Sequence, residues 1–167
     1  VSVLATLDRG LTWLGDRFDI RTLLLVLLAL HLFAMDNPDN SFIFDEAHYV
    51  PAARDLIQLR PSNLEHPFMG KLWAALGILI FGDHWFGWRI FYVTLGLAAL
   101  YIFYHLARRL MGERDALYAT ALLGFDTMYF VHASIVVLEI PSLTFAFLAY
   151  YLYFKGRYKL SAIAMGI

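Results

Sequence analysis

Four apolar blocks, Thr22 to Met35, Leu72 to Phe81, Trp85 to Leu110 and Ala116 to Phe154, alternate with polar stretches along the chain. A helix that crosses a bilayer needs about 20 apolar residues. The first block falls short and becomes long enough only with Phe18 and Ile20 included and Arg21 reaching to the surface, which predicts a span over about 18–35. The second is far too short to cross and is bounded by Lys71 and Asp83, so it predicts a buried or surface-lying helix. The third predicts a span over about 85–110, with Trp85 and Trp88 at one end and Arg108 and Arg109 at the other. The fourth is long enough for two antiparallel spans, about 116–133 and 136–154, turning near His132 to Ser134, and residues 160–167 read as the start of another. The fold class this predicts is all-α: a multi-pass transmembrane helical bundle whose first outward loop, 36–84, carries short surface helices. The whole of 1–167 is expected to be the N-terminal part of a longer polypeptide.

Composition agrees with that pattern. Hydrophobic residues make up 60% and charged residues 16%, against about 45–50% and 25% in soluble domains, which excludes an ordinary soluble domain and a disordered chain. Thirteen Lys and Arg oppose 14 Asp and Glu, so nothing favours a nucleic-acid partner. The absence of cysteine removes disulfide scaffolds, thiolate zinc sites and a cysteine nucleophile. Position matters more than balance. Arg9, Arg17, Arg21, Arg108, Arg109, Arg114, Lys155, Arg157 and Lys159 fall at one set of span ends, whereas the stretch from Asp36 to Arg89 holds seven acids against Arg54, Arg60, Lys71 and Arg89. Excess Lys and Arg marks cytoplasmic loops, so the acidic loop is expected to face outward or into a lumen.

That loop concentrates the reactive side chains. Asp45 and Glu46 lie side by side ahead of a helix-compatible stretch, in which Asp45, His48 and Tyr49 share a face by three- and four-residue spacing. Adjacent acids repel, which raises at least one pKa and suits a general base; by spacing alone, Asp45 as a helix cap is the stronger reading. Farther on, His66-Pro67-Phe68-Met69-Gly70-Lys71 shapes a turn into the short helix and sets Lys71 in its first turn, where it can hold an anion or touch lipid headgroups. Arg89 reads as an interface anchor or a second phosphate contact. Glu139, soon after the expected hairpin turn, suits substrate or metal. Asp126 has no assigned role, with His105 and His132 as candidate partners. Asp45, Glu46, His48, His66 and Glu139 leave a divalent metal open, but no zinc signature such as H-E-x-x-H is present, nor is any glycine-rich nucleotide motif.

Taken in order, these segments resemble the GT-C type, polyprenyl-phosphate-sugar-dependent glycosyltransferases, especially the protein O-mannosyltransferase-like group. The residues that carry the resemblance are Asp45-Glu46-Ala47-His48-Tyr49-Val50-Pro51-Ala52-Ala53, His66 to Lys71, Phe81-Gly82-Asp83 to Gly87-Trp88-Arg89, Leu106 to Leu110 and Leu138-Glu139-Ile140-Pro141. Three positions depart from the family pattern. Phe68 replaces a second proline, Ser134 stands where an arginine is common, and Glu139 stands where aspartate is commoner. The resemblance implies transfer of a sugar, mannose by resemblance alone, from a polyprenyl-phosphate carrier to an acceptor hydroxyl on protein or lipid, with inversion, at an extracytoplasmic membrane face. It implies Asp45 as general base and Glu46 as its tuning or acceptor-orienting partner. Lys71 and Arg89 would hold the carrier phosphate, with Arg54 as a substitute, while His48, Tyr49, His66 and Glu139 line the cavity. The expected partners are the lipid-linked donor, the acceptor and membrane lipid, with oligomerisation left open and a prokaryotic plasma membrane, or the endoplasmic reticulum, as location. A transporter subunit and a non-catalytic membrane scaffold are the rival readings.

Overall fold

A computed structural model describes residues 18–37, 39–61 and 65–167. Arg9 and Arg17, counted above among the basic residues of one face, lie outside them. Among the described residues the chain is all helix and connecting loop, with no strand. The first helix, α1 (Ile20–Ala34), starts where Asp19 accepts from the Thr22 N–H and hydroxyl, both at 2.9 Å, an N-cap that satisfies otherwise orphaned helix donors. Leu23, Leu27 and His31 form its buried face at four-residue spacing, while Leu25, Val26, Leu30, Leu32 and Phe33 are exposed. Short α2 (Glu46–Ile57) and α3 (Phe68–Phe81) follow, then α4 (Trp85–Met111), whose 27 residues extend about 40 Å.

Only α4, among the described residues, is by itself long and apolar enough to cross a membrane; α1 and α3 are shorter apolar helices. The region expected as two antiparallel spans, 116–133 and 136–154, is instead three helices: α5 (Glu113–Gly124), α6 (Thr127–Ser134) and α7 (Glu139–Phe154). The break at 125–126 has a local cause, because the Asp126 carboxylate accepts from the Tyr129 N–H at 2.9 Å and caps α6. The structure thus gives Asp126 a capping role, and it shares a hollow with His132, one of the two partners considered for it. His132 to Ser134 lie inside α6 rather than at a turn, and the chain bends after them, by 107° between α6 and α7. Pro141, third in α7, is placed where its missing N–H has no intrahelical acceptor. Residues 160–165 lie in α8 (Tyr158–Met165), eight residues long, with Gly166 and Ile167 beyond its end.

These helices gather around α4. Near its middle, Gly96 allows α6 to come close, since a Cβ there would sit 2.7 Å from the Ala133 Cβ, and the Tyr129 hydroxyl donates to the Gly96 carbonyl at 2.7 Å. One apolar core, containing Leu23, Leu27, Leu100, Tyr129, Ala133 and Ile140, fills this middle layer. A second, containing Tyr49, Val50, Ala74, Trp88, Tyr92 and Val136, lies around the N-terminal end of α4. At the opposite end Arg109 donates to the Phe154 carbonyl at 3.0 Å, and Ile20 packs on Tyr104 and Ala107. The basic residues Arg21, Arg108, Arg109 and Lys155 therefore collect at one end of α4 and the acidic loop at the other.

Candidate active site

Entry into α2 requires an unusual backbone. Phe44 has φ 52°, a left-handed conformation that costs a non-glycine residue about 1–2 kcal/mol. Glu46 holds the loop on either side of it, reaching back so that its Oε2 accepts from the Ile43 N–H at 2.9 Å. Asp45 occupies the N-cap position but makes no side-chain cap bond, so the capping role that spacing favoured is not what its carboxylate does. It remains partly exposed.

Asp45 and Tyr49, one turn apart, do share a face, while His48 points into the exposed surface. Tyr49 is 4% exposed and its ring meets His66 edge-on, with centroids 5.7 Å apart. Burial raises the Tyr49 phenol above its ordinary value, and the carboxylates of Asp45 and Glu139 raise it further. Three separated parts of the chain thus converge on one buried tyrosine. Lys71, itself 1% exposed, donates from Nζ to the His66 carbonyl at 3.3 Å, which joins the His66–Lys71 turn to the same cluster. Gly70 keeps that turn tight against Glu139's neighbour, because a Cβ there would overlap the Leu138 side chain. Its carbonyl accepts from the Tyr92 hydroxyl at 2.8 Å.

Glu46 and Arg89, read from sequence as substrate-facing, face each other instead. Both side chains are 0% exposed. Arg89 Nε donates to Oε1 of Glu46 at 2.8 Å and Nη2 to Oε2 at 2.6 Å, a two-pronged, charge-assisted pair. Arg89 also donates to the carbonyls of Met35 at 2.6 Å and Ser41 at 3.0 Å. Glu46 Oε1 accepts in addition from the Val136 N–H at 2.9 Å. Each carboxylate oxygen of Glu46 therefore receives two N–H groups, which fills the roughly four lone-pair positions a carboxylate offers.

Arg54 is likewise engaged. Its Nε donates to Asp83 Oδ2 at 2.9 Å and its Nη2 to Oδ1 at 3.0 Å, while its guanidinium lies 5.6 Å from the ring centres of both Phe42 and Trp88. Burial works to raise the Asp83 carboxyl, but the bonds from Arg54 and Trp88 outweigh it and hold the group below the ordinary aspartate value. Ser134, which stands where the family commonly has arginine, links α6 to α1: its hydroxyl donates to the Phe130 carbonyl at 2.9 Å and lies 2.8 Å from His31 Nδ1. Among the described residues no three His, Asp or Glu side chains lie close enough together to hold a metal ion, so the five donors named above do not form a ready-made centre.

Two open hollows lie nearby, of which the first shares Glu139 with the cluster. One, of about 580 Å³, is lined by Glu139, His132, Asp126, Tyr129 and Leu143 among others. The other, of about 350 Å³ and almost wholly apolar, runs along α3 past Met69, Leu72, Trp73, Leu76 and Leu79.

Residues 65–162 match the family described as dolichyl-phosphate-mannose-protein mannosyltransferase. The chain belongs to that family. The match takes in His66, Lys71, Arg89 and Glu139; Asp45 and Glu46 precede it and are tied to it through the bonds of Glu46 to Arg89 and Val136. The polyprenol-phosphate-mannose–protein mannosyltransferase of Corynebacterium glutamicum is 33% identical over 95 residues, which is 49% of this chain and 18% of that protein. Its namesake from Mycobacterium tuberculosis is 34% identical over 107 residues, 58% of this chain and 20% of that protein. The matched stretch is thus about a fifth of these relatives' length. No solved structure matches the chain.

Proposed function

We propose that this chain is the part of a multi-pass membrane glycosyltransferase that carries its catalytic base, transferring mannose from a polyprenyl-phosphate carrier to a protein Ser or Thr hydroxyl on the extracytoplasmic face. The observation that carries this reading is the meeting of the acidic loop, the His66–Lys71 turn and the start of α7, through the Tyr49–His66 ring contact, the packing of Gly70 on Leu138 and the Val136 N–H bond to Glu46, because it joins the acidic loop to the family-matched segment. Membership in the family supports the sugar and the carrier. In the reaction, the acceptor oxygen attacks the anomeric carbon from the face opposite the carrier, the bond from that carbon to the phosphate oxygen breaks, and the configuration inverts. Asp45 takes the acceptor's proton as the new bond forms, and the departing carrier keeps the electron pair as a phosphate.

Asp45 suits the base better than Glu46, whose lone pairs are all taken. Lys71, in the first turn of α3 and 1% exposed, is assigned to the carrier phosphate on the family resemblance, its charge acting from just beneath the surface where a helix N-terminus also favours developing negative charge. The apolar hollow along α3, lined by Met69, Leu72 and Trp73 but not by Lys71, suits the prenyl chain. Glu139 and Tyr49 border the sugar, and acceptor and donor meet where the outward loop borders the lipid.

The test uses membranes containing the intact protein, labelled polyprenyl-phosphate mannose and a serine- and threonine-rich peptide. Asp45→Asn at matched abundance is expected to lower transfer by about 10²–10⁴-fold, the usual contribution of a general base. Undiminished transfer by that variant removes Asp45 from the mechanism, and solute uptake into proteoliposomes in place of transfer would favour a transporter.

A further inference from the structure

The residues proposed to react are placed by a pair that does not touch substrate. We infer that Glu46 and Arg89 are positioning residues: together they set the spacing between Asp45 and Glu139, an inference that rests on the reading of Asp45 as base. Four segments meet at this pair. The C-terminal end of α1 contributes the Met35 carbonyl, the loop contributes the Ser41 carbonyl and Ile43 N–H, α4 contributes Arg89 itself, and the connection between α6 and α7 contributes the Val136 N–H. Asp45 is the residue before Glu46, and Glu139 begins α7 three residues after Val136. A single carboxylate therefore fixes the chain immediately beside one acid and a short step from the other.

The arrangement has the signs of a fixture rather than a binding site. Both side chains are 0% exposed, and Glu46 accepts four N–H groups, two of them from backbone. The left-handed Phe44 lies between the residue Glu46 holds and the base, and such backbone persists only where the surroundings over-determine it. An ordinary ion pair would need only opposite charge. This one needs the planar fork of arginine on one side and a double acceptor on the other, which lysine and other cations do not reproduce.

Steady-state kinetics of Arg89→Lys in the intact protein test the inference, with rates normalised to folded protein. The expected result is a fall in kcat of tenfold or more, a donor KM within twofold of wild type, and a displaced acid limb in the pH profile of kcat, because the distance between two carboxylates has changed. A donor KM raised tenfold with kcat retained would make Arg89 a phosphate contact and overturn the inference. A loss that scales the whole pH profile without moving its acid limb would also overturn it, leaving the pair as scaffold alone.

Should Arg89→Lys fail to accumulate, hydrogen exchange on the wild-type protein decides. The Ile43 and Val136 amides are expected to exchange at least 100-fold more slowly than exposed loop amides, with or without polyprenyl phosphate. Exchange at exposed-amide rates overturns the inference. Asp45→Asn separates the two failures: wild-type transfer by that variant defeats the function proposed above, whereas loss of transfer there with a raised donor KM in Arg89→Lys defeats only the positioning role.

Discussion

Two ion pairs tie the acidic loop together at the N-terminal end of the central helix, and they differ in nearly everything except charge. Glu46–Arg89 is wholly buried and extends into backbone groups of three other segments. Arg54–Asp83 is about a third to a half exposed, at 36% and 45%, and is backed by Phe42 and Trp88. In the first, desolvation makes every missing partner expensive, so the pair specifies one arrangement of the chain. In the second, water can replace either partner, so the pair adds little beyond what the aromatic stack provides. The pairing of an arginine with a carboxylate thus acts as a fixture in one place and a surface clasp in the other.

The largest expected effect comes from breaking the buried pair. Glu46→Ala or Arg89→Ala should each cost about 3–5 kcal/mol, as is usual when one buried charge is left unpaired, read as a large drop in the thermal transition of the intact protein in detergent. The double variant Glu46→Leu with Arg89→Met sharpens the point. Removing both charges should recover only part of that loss, because the Ile43 and Val136 N–H groups remain without an acceptor at about 1–3 kcal/mol each; full recovery would show that the backbone bonds contribute nothing.

Gly70→Ala comes next, since it forces a methyl into Leu138 at the seam between the His66–Lys71 turn and Glu139. A cost of about 1–3 kcal/mol is expected from overpacking, and transfer should fall with it. A neutral thermal scan would mean that Leu138 moves aside freely.

The exposed pair should yield least. Arg54→Ala is expected to change stability by no more than about 1 kcal/mol, much of that from lost stacking on Phe42 and Trp88. Its pH dependence follows from the depressed Asp83 carboxyl: a lowered folded-state value contributes stability above the ordinary aspartate pKa, near 3.9, and that contribution disappears as pH falls through the folded value. Thermal scans of wild type and Asp83→Asn should therefore differ near neutrality and converge in acid. Curves that stay parallel down to pH 2 would show that Asp83 does not supply the difference.

Much of the helical plan could be read from residue order. The runs over 20–34, 68–81 and 85–111 are helices close to where apolar length and flanking charge placed them, because a continuous apolar run leaves the backbone no better way to satisfy its own polar groups. Division of 116–154 into three helices was less legible. Asp126 is one polar residue in an apolar stretch, and whether its carboxylate caps a helix or faces a cavity depends on how the backbone turns there. The site divides in the same way. Asp45, His66, Lys71 and Glu139 were legible as candidates from their chemistry and the motifs around them, whereas Ser134 as an α1–α6 link and Asp45 as a carboxylate released from capping were not.

What the sequence determined alone is what depends on composition and near neighbours: an apolar helical chain, one basic and one acidic end, family membership, and an acidic loop in which reactive side chains are concentrated. Only the tertiary structure decided which of them remain available. Glu46 lies 43 residues from Arg89 and 90 from Val136, and no local spacing reports such a meeting. The physical reason is that a charged side chain's role is set by its remaining lone pairs and hydrogens after folding, and those are assigned by contacts between segments that the order of residues does not list.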